Sequence, residues 1–574
     1  MRWKVMSKTG NSPGWGVVLD FKRGVRRYRI TYLFVVVLFL ILIPQISYKV
    51  SKESQKIKKV KSVFGDNLLP TPWHWHENVL GPNNQTWERG WAILKCSYPR
   101  LYKPSRQKLL VLNATQECPS YFHWIQKDLA PWKLTGITST NLETAEGHAA
   151  FKVVILNGRL YLDLYYSCVQ TRAVFTVWGI LMLMEKFEGK IPDVEMMFDC
   201  MDRPHIEKTN LEPSAEWSPA PLFRYCSNSQ YYDLPWPDWS FWGWSETNLY
   251  PWEEELSKIK KGAEKTPWRL KVPKAYWRGN PNVGSALRQE LMTCKTATKS
   301  PQTEIYNQDW TSEIALGKKH SKLEDQCEHR YKIYAEGFAW SVSFKYIMAC
   351  GSPTMAISPA YYDFFMRGLE PGVHYLPVRP KATCAAELCG ALDNAVTTAE
   401  KDLDKAFHIG QAGRDFVSNE VGMSSVYDYM YHMIRAYAEL QRFKPTRPRR
   451  AREVTQDFIL CMASPFERLL LEKSREQIPW TPAPCHLKET PSDGFKDFGW
   501  ETTEDWSQTN CRRSRKGKRK DNKNKAKSKS QLHKVENNES TPLKTETNES
   551  LAPKVETNEG TTLMMENNGT TAEQ

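Results

Sequence analysis

The sequence predicts an α/β protein of two halves facing a cleft, carried behind a single N-terminal membrane helix. Three observations predict it. An unbroken apolar run, "ITYLFVVVLFLILIPQIS", fills residues 30–47. Two separate stretches, residues 151–200 and 330–378, each alternate strand-like and helix-like patterns. All 13 cysteines lie beyond the apolar run. With 574 residues the chain is long enough for two or three domains with sizeable cores.

Residues 1–29 read as a cytosolic N-terminus and 30–47 as the anchor, near the short end of the roughly 17–25 residues that cross a bilayer. Both flanks are basic, with five basic residues in 22–29 and six lysines in 49–61, so charge does not orient the span. The cysteines orient it. They lack C-x-x-C pairs and read as a disulfide set, which needs an oxidising compartment. Sequons at Asn84, Asn113, Asn538, Asn548 and Asn568 lie on the same side. The expectation is a single-pass type II membrane protein of the Golgi (or ER), its body in the lumen behind a stem at 48–66, with Asn84 and Asn113 as glycosylation sites.

The net charge of +14 is mostly a tail property. Residues 512–529 hold eleven basic residues and a single Asp521, a formal +10, which leaves about +4 for the rest. A ten-residue repeat follows, at Lys534, Lys544 and Lys554. Residues 512–574 have too few apolar side chains for a core and read as a disordered basic-then-repeat tail. A nucleic-acid partner conflicts with the membrane span and is not expected.

Inside the body, residues 67–265 read as the first α/β domain. "FKVVILNGRLYLDLYY" (151–166) is a hairpin turning on Asn157-Gly158. "RAVFTVWGILMLMEKFEGK" has helical periodicity and stops at Gly189. "PDVEMMFDC" alternates as a strand, and "MDRPHI" follows at its carboxyl end, where open α/β sheets place working residues. "DLPWPDWSFWGWSE" (233–246) concentrates four tryptophans in nine residues. Pro235 and Pro237 exclude a regular helix or central strand there. Such an ordered loop either plugs a core or floors a binding site.

Residues 266–445 read as the second α/β domain. "GFAWSVSFKYIMAC" is expected as a helix, "PTMAI" as a buried strand, "YYDFFMRGL" as another helix and "VHYLPV" as a further strand. "MSSVYDYMYHMIRAYAELQRF" (423–443) looks like a closing helix, and 446–511 is a C-terminal extension. Two α/β halves suit a ligand held between them.

Five motifs, in order, carry a resemblance: "PDVEMMFDCMDRP", "WPDWSFWGW", "AYWRGNPNV", "HRYKIYAEGFAWSVSFKYIMACGS" and "YYDFFMRGLEPGVHYLPV". Over roughly residues 70–490 the chain resembles the Rumi-like protein O-glucosyltransferases, glycosyltransferase family 90, and most of all their plant members. The resemblance implies a GT-B-like fold of two doubly wound, Rossmann-like domains. It also implies an inverting, metal-independent transfer from UDP-glucose or UDP-xylose to a hydroxyl on a protein or cell-wall glycan. The UDP-sugar is a substrate, and no further cofactor is expected.

Such a transfer needs one base for the acceptor hydroxyl and positive charge or donors for the departing diphosphate. The resemblance gives Asp202 the base role, with Asp199 as runner-up; from the residues alone Asp202 is equally a helix cap or a partner of Arg203. It places Arg278 and Gly279 near the diphosphate, and Trp239, Ser240 and Phe241 around the sugar. Lys345, Glu336, Gly337, Ser343, Arg330 and Tyr331 complete the implied donor site, and Cys327 and Cys350 match a family disulfide. Met201 and Phe344 stand where many plant relatives carry acids, which keeps a catalytically silent, glycan-binding or scaffolding member as the alternative. For a metal, "DLD" at 402–404 reads as a solvated helix face, and His74 with His76 offers two ligands without a third. No catalytic metal is expected.

Overall fold

A computed structural model of the chain describes residues 116–500, except 209–212, 215, 284–285, 296–300, 310–311, 314–321, 382–384, 477–482 and 489–498. The expected anchor, stem and tail, and the sequons at Asn84 and Asn113, lie outside the described residues. Among the described residues, no helix is long and apolar enough to cross a membrane.

Two short helices, α1 (Trp124–Asp128) and α2 (Ser139–Glu146), lead into the first sheet. β1 (Phe151–Leu156) reverses through Asn157 and Gly158, with φ of 50° and 72°, into β2 (Arg159–Leu164). Two successive positive φ values define the tight hairpin turn that Asn-Gly adopts with least strain. α3 (Arg172–Lys186) then crosses over to β3 (Val194–Phe198). β4 (Phe223–Arg224) and β5 (Leu234–Pro235), with a late edge strand β11 (Arg452–Glu453), complete a sheet of order β11-β2-β1-β3-β4-β5.

This sheet corrects the doubly wound expectation for the first half. β1 is antiparallel to both β2 and β3, while β3, β4 and β5 are mutually parallel. The helix crossover expected of an α/β unit is present, as β2–α3–β3, but it straddles the hairpin strand β1. A two-residue turn permits only an antiparallel partner, so the Asn-Gly turn itself makes the sheet mixed.

The second half meets the expectation. After α4 (Trp252–Glu264) come β6 (Val272–Gly279), α5 (Ala286–Met292), β7 (Thr303–Asn307), β8 (His329–Tyr334), α6 (Ser343–Met348), β9 (Thr354–Ile357) and β10 (Leu376–Val378). All five strands are parallel, in the order β10-β9-β8-β6-β7. Both faces are covered, as parallel sheets require. Tyr331, Ile333, Met355 and Ile357 share one core with Leu388, Leu392 and Val396 of α7 (Ala385–Ala399), whereas Tyr334 and Ala356 join the larger core that also contains the first sheet.

Two expected helices differ. Of residues 337–350 only α6 is helical, and the stretch before it is loop. "YYDFFMRGL" forms no α-helix, because the Asp363 carboxylate accepts the amides of Phe365 and Met366, both at 3.1 Å, and closes a local turn instead. After α8 (Leu403–Asp415), α9 (Met423–Leu440) returns to the first half, where Tyr429 packs on Phe122 and Tyr437 on Phe223 at centroid distances of 5.4 and 5.0 Å. A boundary at 445 therefore separates α9 from the core it fills. β11 (Arg452–Glu453) adds an edge to β2, and α10 (Gln456–Met462) and α11 (Pro465–Glu476) follow.

The tryptophan loop is core. Trp236, Trp239 and Trp242 are at most 1 % exposed. Trp242 lies flat on α3 where Gly179 has no side chain; a Cβ there would meet its ring at 2.3 Å. The indole cannot slide away, because its Nε1 donates to the Tyr427 hydroxyl at 2.9 Å. Gly179→Ala is thus expected to cost about 1–3 kcal/mol through overpacking. Denaturant unfolding checks this, and an unchanged midpoint would mean that the indole does not press on the helix.

Candidate functional site

The carboxyl end of β3 delivers the sequence Asp199-Cys200-Met201-Asp202-Arg203 to the cleft. Asp199 is buried, takes a hydrogen bond from the Tyr166 hydroxyl and forms an ion pair with Arg224. It is committed to the fold. Asp202 is different. Its side chain is 31 % exposed, and among the described residues only Oδ1 has a partner, Arg172 Nη1 at 2.7 Å. The loop is fixed independently of that carboxylate. Cys200 is disulfide-bonded to Cys168, the Cys226 thiol donates to the Asp202 carbonyl oxygen at 3.0 Å, and Arg203 Nε donates to the Phe338 carbonyl oxygen at 3.0 Å.

The Arg203–Phe338 bond crosses to the second half, onto the loop between β8 and α6. Trp340 of that loop inserts beside Tyr225 and Trp239 at 6.0 and 6.3 Å. In the second sheet β6 and β8 are neighbours whose chains continue to opposite sides, so the crevice beyond their carboxyl ends is where such folds hold ligands. Arg288 of α5 straddles it. Nε donates to the Glu336 carbonyl at 2.9 Å, Nη1 to that of Asn280 at 3.2 Å, and Nη2 to that of Ala335 at 3.1 Å and to Ser341 Oγ at 3.2 Å. Burial pushes the Arg288 guanidinium down to about 10, opposed at neutral pH by the carboxylates of Glu336 and Asp202, so it remains a cation there.

A part-exposed carboxylate fixed through one oxygen is suited to taking a proton from a hydroxyl, and the Arg288 guanidinium at the crevice of the second sheet is suited to an anion. The sequence profile described as glycosyl transferase family 90 matches residues 113–510. The chain belongs to that family. It is a Rumi-like glycosyltransferase, 26% identical over 346 residues to Protein O-glucosyltransferase 1 of Homo sapiens, covering 58% of this chain and 83% of that protein. To O-glucosyltransferase rumi of Drosophila melanogaster it is 24% identical over 341 residues, covering 57% and 79%. Among solved structures, Anabaena Alr3699/HepE in complex with UDP-glucose matches with a TM-score of 0.20 at 18% identity, over 34% of this chain and 54% of that one.

The family-90 resemblance implied donor roles that the structure distributes unevenly. Gly337, Ser343 and the backbone of Glu336 surround Arg288: Ser343 Oγ lies 2.9 Å from Ser341 Oγ, and Gly337 Cα is bare where Arg288 passes. The Glu336 carboxylate instead accepts the amides of Ala360 and Tyr361 at 3.0 and 2.9 Å, holding the loop beyond β9. Arg278 ends β6 but leans toward β7, with Nε 2.7 Å from Gln308 Oε1 and its guanidinium over Tyr306. Gly279 is required by its own strand, since a Cβ would sit 2.5 Å from the Trp277 ring.

Other implied roles need correction. Arg330 and Tyr331 begin β8 at the amino-terminal edge of the sheet, the wrong end for the crevice, where both bind Glu400. Trp239, Ser240 and Phe241 have almost no accessible surface, so they line no open pocket here. Their role is support: Trp239 carries the Arg172 guanidinium 4.1 Å above its ring. Lys345 is equally buried, donating to Ser240 Oγ at 2.6 Å and pairing with Asp238 at 3.4 Å. Cys327 and Cys350 are joined, as the resemblance implied. Of the two departures, Phe344 is core, 4.4 Å from Tyr334, and Met201 is 40 % exposed beside Asp202.

Lys345, Asp238 and Asp363 are buried ionisable neighbours with a consequence for stability. Burial first, then the Asp238 charge, pushes Asp363 up to about 8, with Lys345 opposing. The unfolded chain releases that proton near pH 4. Between those two values folding therefore takes up a proton, and stability falls as pH rises, levelling above about 8. Asp363→Asn keeps the Oδ1 acceptor for its two amides and removes the titration. Its unfolding midpoint is expected to fall less than wild type between about pH 5 and about pH 8.5. Parallel curves would show that Asp363 does not hold the proton.

Among the described residues the one group with metal-like spacing is Cys118, His432 and Cys485, and those two cysteines are bonded to each other. Asp402 caps α8 through the Lys405 amide, and Asp404 pairs with Arg269. A cavity of about 430 Å³ lies between β10, α7 and α8, lined by Val378, Asn394, Thr398 and Lys405 among others; it shares no residue with the cleft.

Proposed function

We propose that the protein transfers glucose or xylose, with inversion, from a UDP-sugar to a hydroxyl on a protein or polysaccharide, without a catalytic metal and within a GT-B-like framework. Asp202 takes the acceptor proton. The acceptor oxygen attacks the anomeric carbon, and the bond to the diphosphate breaks away from it. Arg288 and the Gly337–Ser343 loop face the charge that develops there. The observation that carries this reading is the part-exposed Asp202 carboxylate just past the carboxyl end of β3, held at Oδ1 by Arg172, on a loop that Arg203 ties to the second half. A glucosyl donor accords with the names of the O-glucosyltransferase relatives. The disulfides suit an oxidising lumen, and the apolar run at 30–47 supplies a type II anchor in the Golgi or ER membrane.

The test is UDP release by the full-length chain across a panel of UDP-sugars, with and without pooled secreted glycoproteins and polysaccharides as acceptors. Turnover of UDP-glucose or UDP-xylose that survives excess chelator is expected. UDP binding without turnover of any donor would favour the silent, glycan-binding alternative. Activity abolished by chelator and restored by manganese would remove the metal-independent part.

A further inference from the structure

Arg172 opens α3 ahead of its apolar run and lies in none of the five motifs that carry the family resemblance. Its side chain is about one-tenth exposed and makes three contacts: the 2.7 Å ion pair to Asp202 Oδ1, a 3.0 Å hydrogen bond to the Cys200 carbonyl, and the 4.1 Å stack on Trp239. Trp239 is itself held edge-on by Tyr225 and Trp244 at 4.9 and 5.1 Å. A continuous line of packed groups thus runs from the tryptophan loop, through Arg172, to one oxygen of Asp202.

We infer that Arg172 is the positioning residue of the catalytic base: it fixes Oδ1 and so presents Oδ2 to the acceptor hydroxyl. This rests on the reading of Asp202 as base. A terminal carboxylate torsion is broad and roughly twofold, so an untied aspartate on a loop presents either oxygen in many orientations. A single guanidinium bond at 2.7 Å removes most of that freedom. The step then has one geometry. The acceptor proton passes to Oδ2, the O–H electron pair forms the bond to the anomeric carbon, and the pair of the breaking bond leaves on the diphosphate of UDP.

The surrounding anchors separate this role from general support. The Cys168–Cys200 disulfide, the Cys226 thiol on the Asp202 carbonyl and the Arg203–Phe338 bond hold the loop's backbone without Arg172. Loss of the guanidinium therefore releases the carboxylate more than the loop. Arg288, to which the proposed function gives the diphosphate, bonds to Glu336 and Ala335 and shares no partner with Arg172, so it is left alone.

A double-mutant cycle on the full-length chain tests this, with UDP-glucose as donor, pooled secreted glycoproteins as acceptor, and UDP affinity measured separately. Arg172→Met is expected to lower kcat by about 10–100-fold, the scale of a misplaced reacting group, with donor KM and UDP Kd within about twofold of wild type. Arg172→Lys recovers part of the loss. In an Asp202→Asn background, Arg172→Met adds no more than about a twofold further loss, because there is no base left to orient. Fully multiplicative losses, unchanged turnover in Arg172→Met, or UDP affinity falling in step with turnover would each overturn the inference. Wild-type turnover in Asp202→Asn alone would sink the base reading and this one with it. A disabled Asp202→Asn beside an unaffected Arg172→Met would sink the positioning role only. Should Arg172→Met fail to fold, Arg172→Lys carries the same cycle.

Discussion

Asp202→Asn is expected to lower sugar transfer by about 10²–10⁴-fold, the usual contribution of a general base, while UDP affinity stays at the wild-type value. That loss corresponds to about 3–5 kcal/mol of transition-state stabilisation. The substitution is a clean one. Asparagine keeps an Oδ1 acceptor for Arg172 Nη1, and the disulfide and thiol anchors of the loop are untouched. The unfolding midpoint should therefore hold while turnover collapses. Asp199, three residues upstream, provides the contrast. It is buried and ion-paired to Arg224, so Asp199→Asn removes one of the two carboxylates that balance this core guanidinium and leaves Asp233 as the other. The cost of breaking such a pair is about 3–5 kcal/mol of folding stability, and lost protein rather than lost chemistry is the expected phenotype. Initial rates of UDP release at saturating donor, beside thermal unfolding of both variants, separate the two carboxylates. Normal turnover in Asp202→Asn would return the base role to another group.

What could be read from the sequence was whatever depends on near neighbours along the chain. The Asn157-Gly158 hairpin, the periodic helix ending before Gly189, the strand leading to Asp202 and the long helix from Met423 each follow from local patterning. Where local patterning was overruled, a specific side chain did it. Asp363 captured two amides that the expected helix needed. The Phe344 helix lost its first turns to a loop whose Ser341 amide is taken by the Tyr334 hydroxyl at 3.0 Å. The site was legible in part for the same reason. Asp202 stands next to its strand and could be placed by that strand. Arg172 and Arg288 meet their partners 30 and 48 residues away, and neither "QTRAV" nor "ALRQEL" differs from an ordinary helix beginning or an ordinary amphipathic helix. The aromatic segment misled for a physical reason too: an indole packs as well in a core as against a pyranose, and only the geometry at Gly179 and Arg172 distinguishes these uses.

Arg288→Lys carries the other large expectation: UDP affinity falls by about 10–100-fold, the worth of one or two charge-assisted hydrogen bonds. Charge is conserved in this change, so the effect comes from shape. The guanidinium reaches three carbonyl oxygens and one hydroxyl in different directions, joining the chain after β6 to the chain after β8. An ammonium places its three donors on one atom and cannot span those acceptors. The loop ends that frame the crevice then lose their common tie, and buried carbonyls lose partners at about 1–3 kcal/mol each. Stability alone would fall for any residue with such contacts, so the deciding quantity is the ligand. Raised UDP concentration stabilises the folded protein in proportion to the logarithm of its binding, which makes the UDP-induced shift in unfolding midpoint a direct comparison between wild type and variant. A lower midpoint together with a much smaller UDP shift assigns Arg288 to the diphosphate. A lower midpoint with the full wild-type shift would leave it as a strut between β6 and β8, and the positive charge for the departing diphosphate would have to come from Arg278 at the edge of the same sheet.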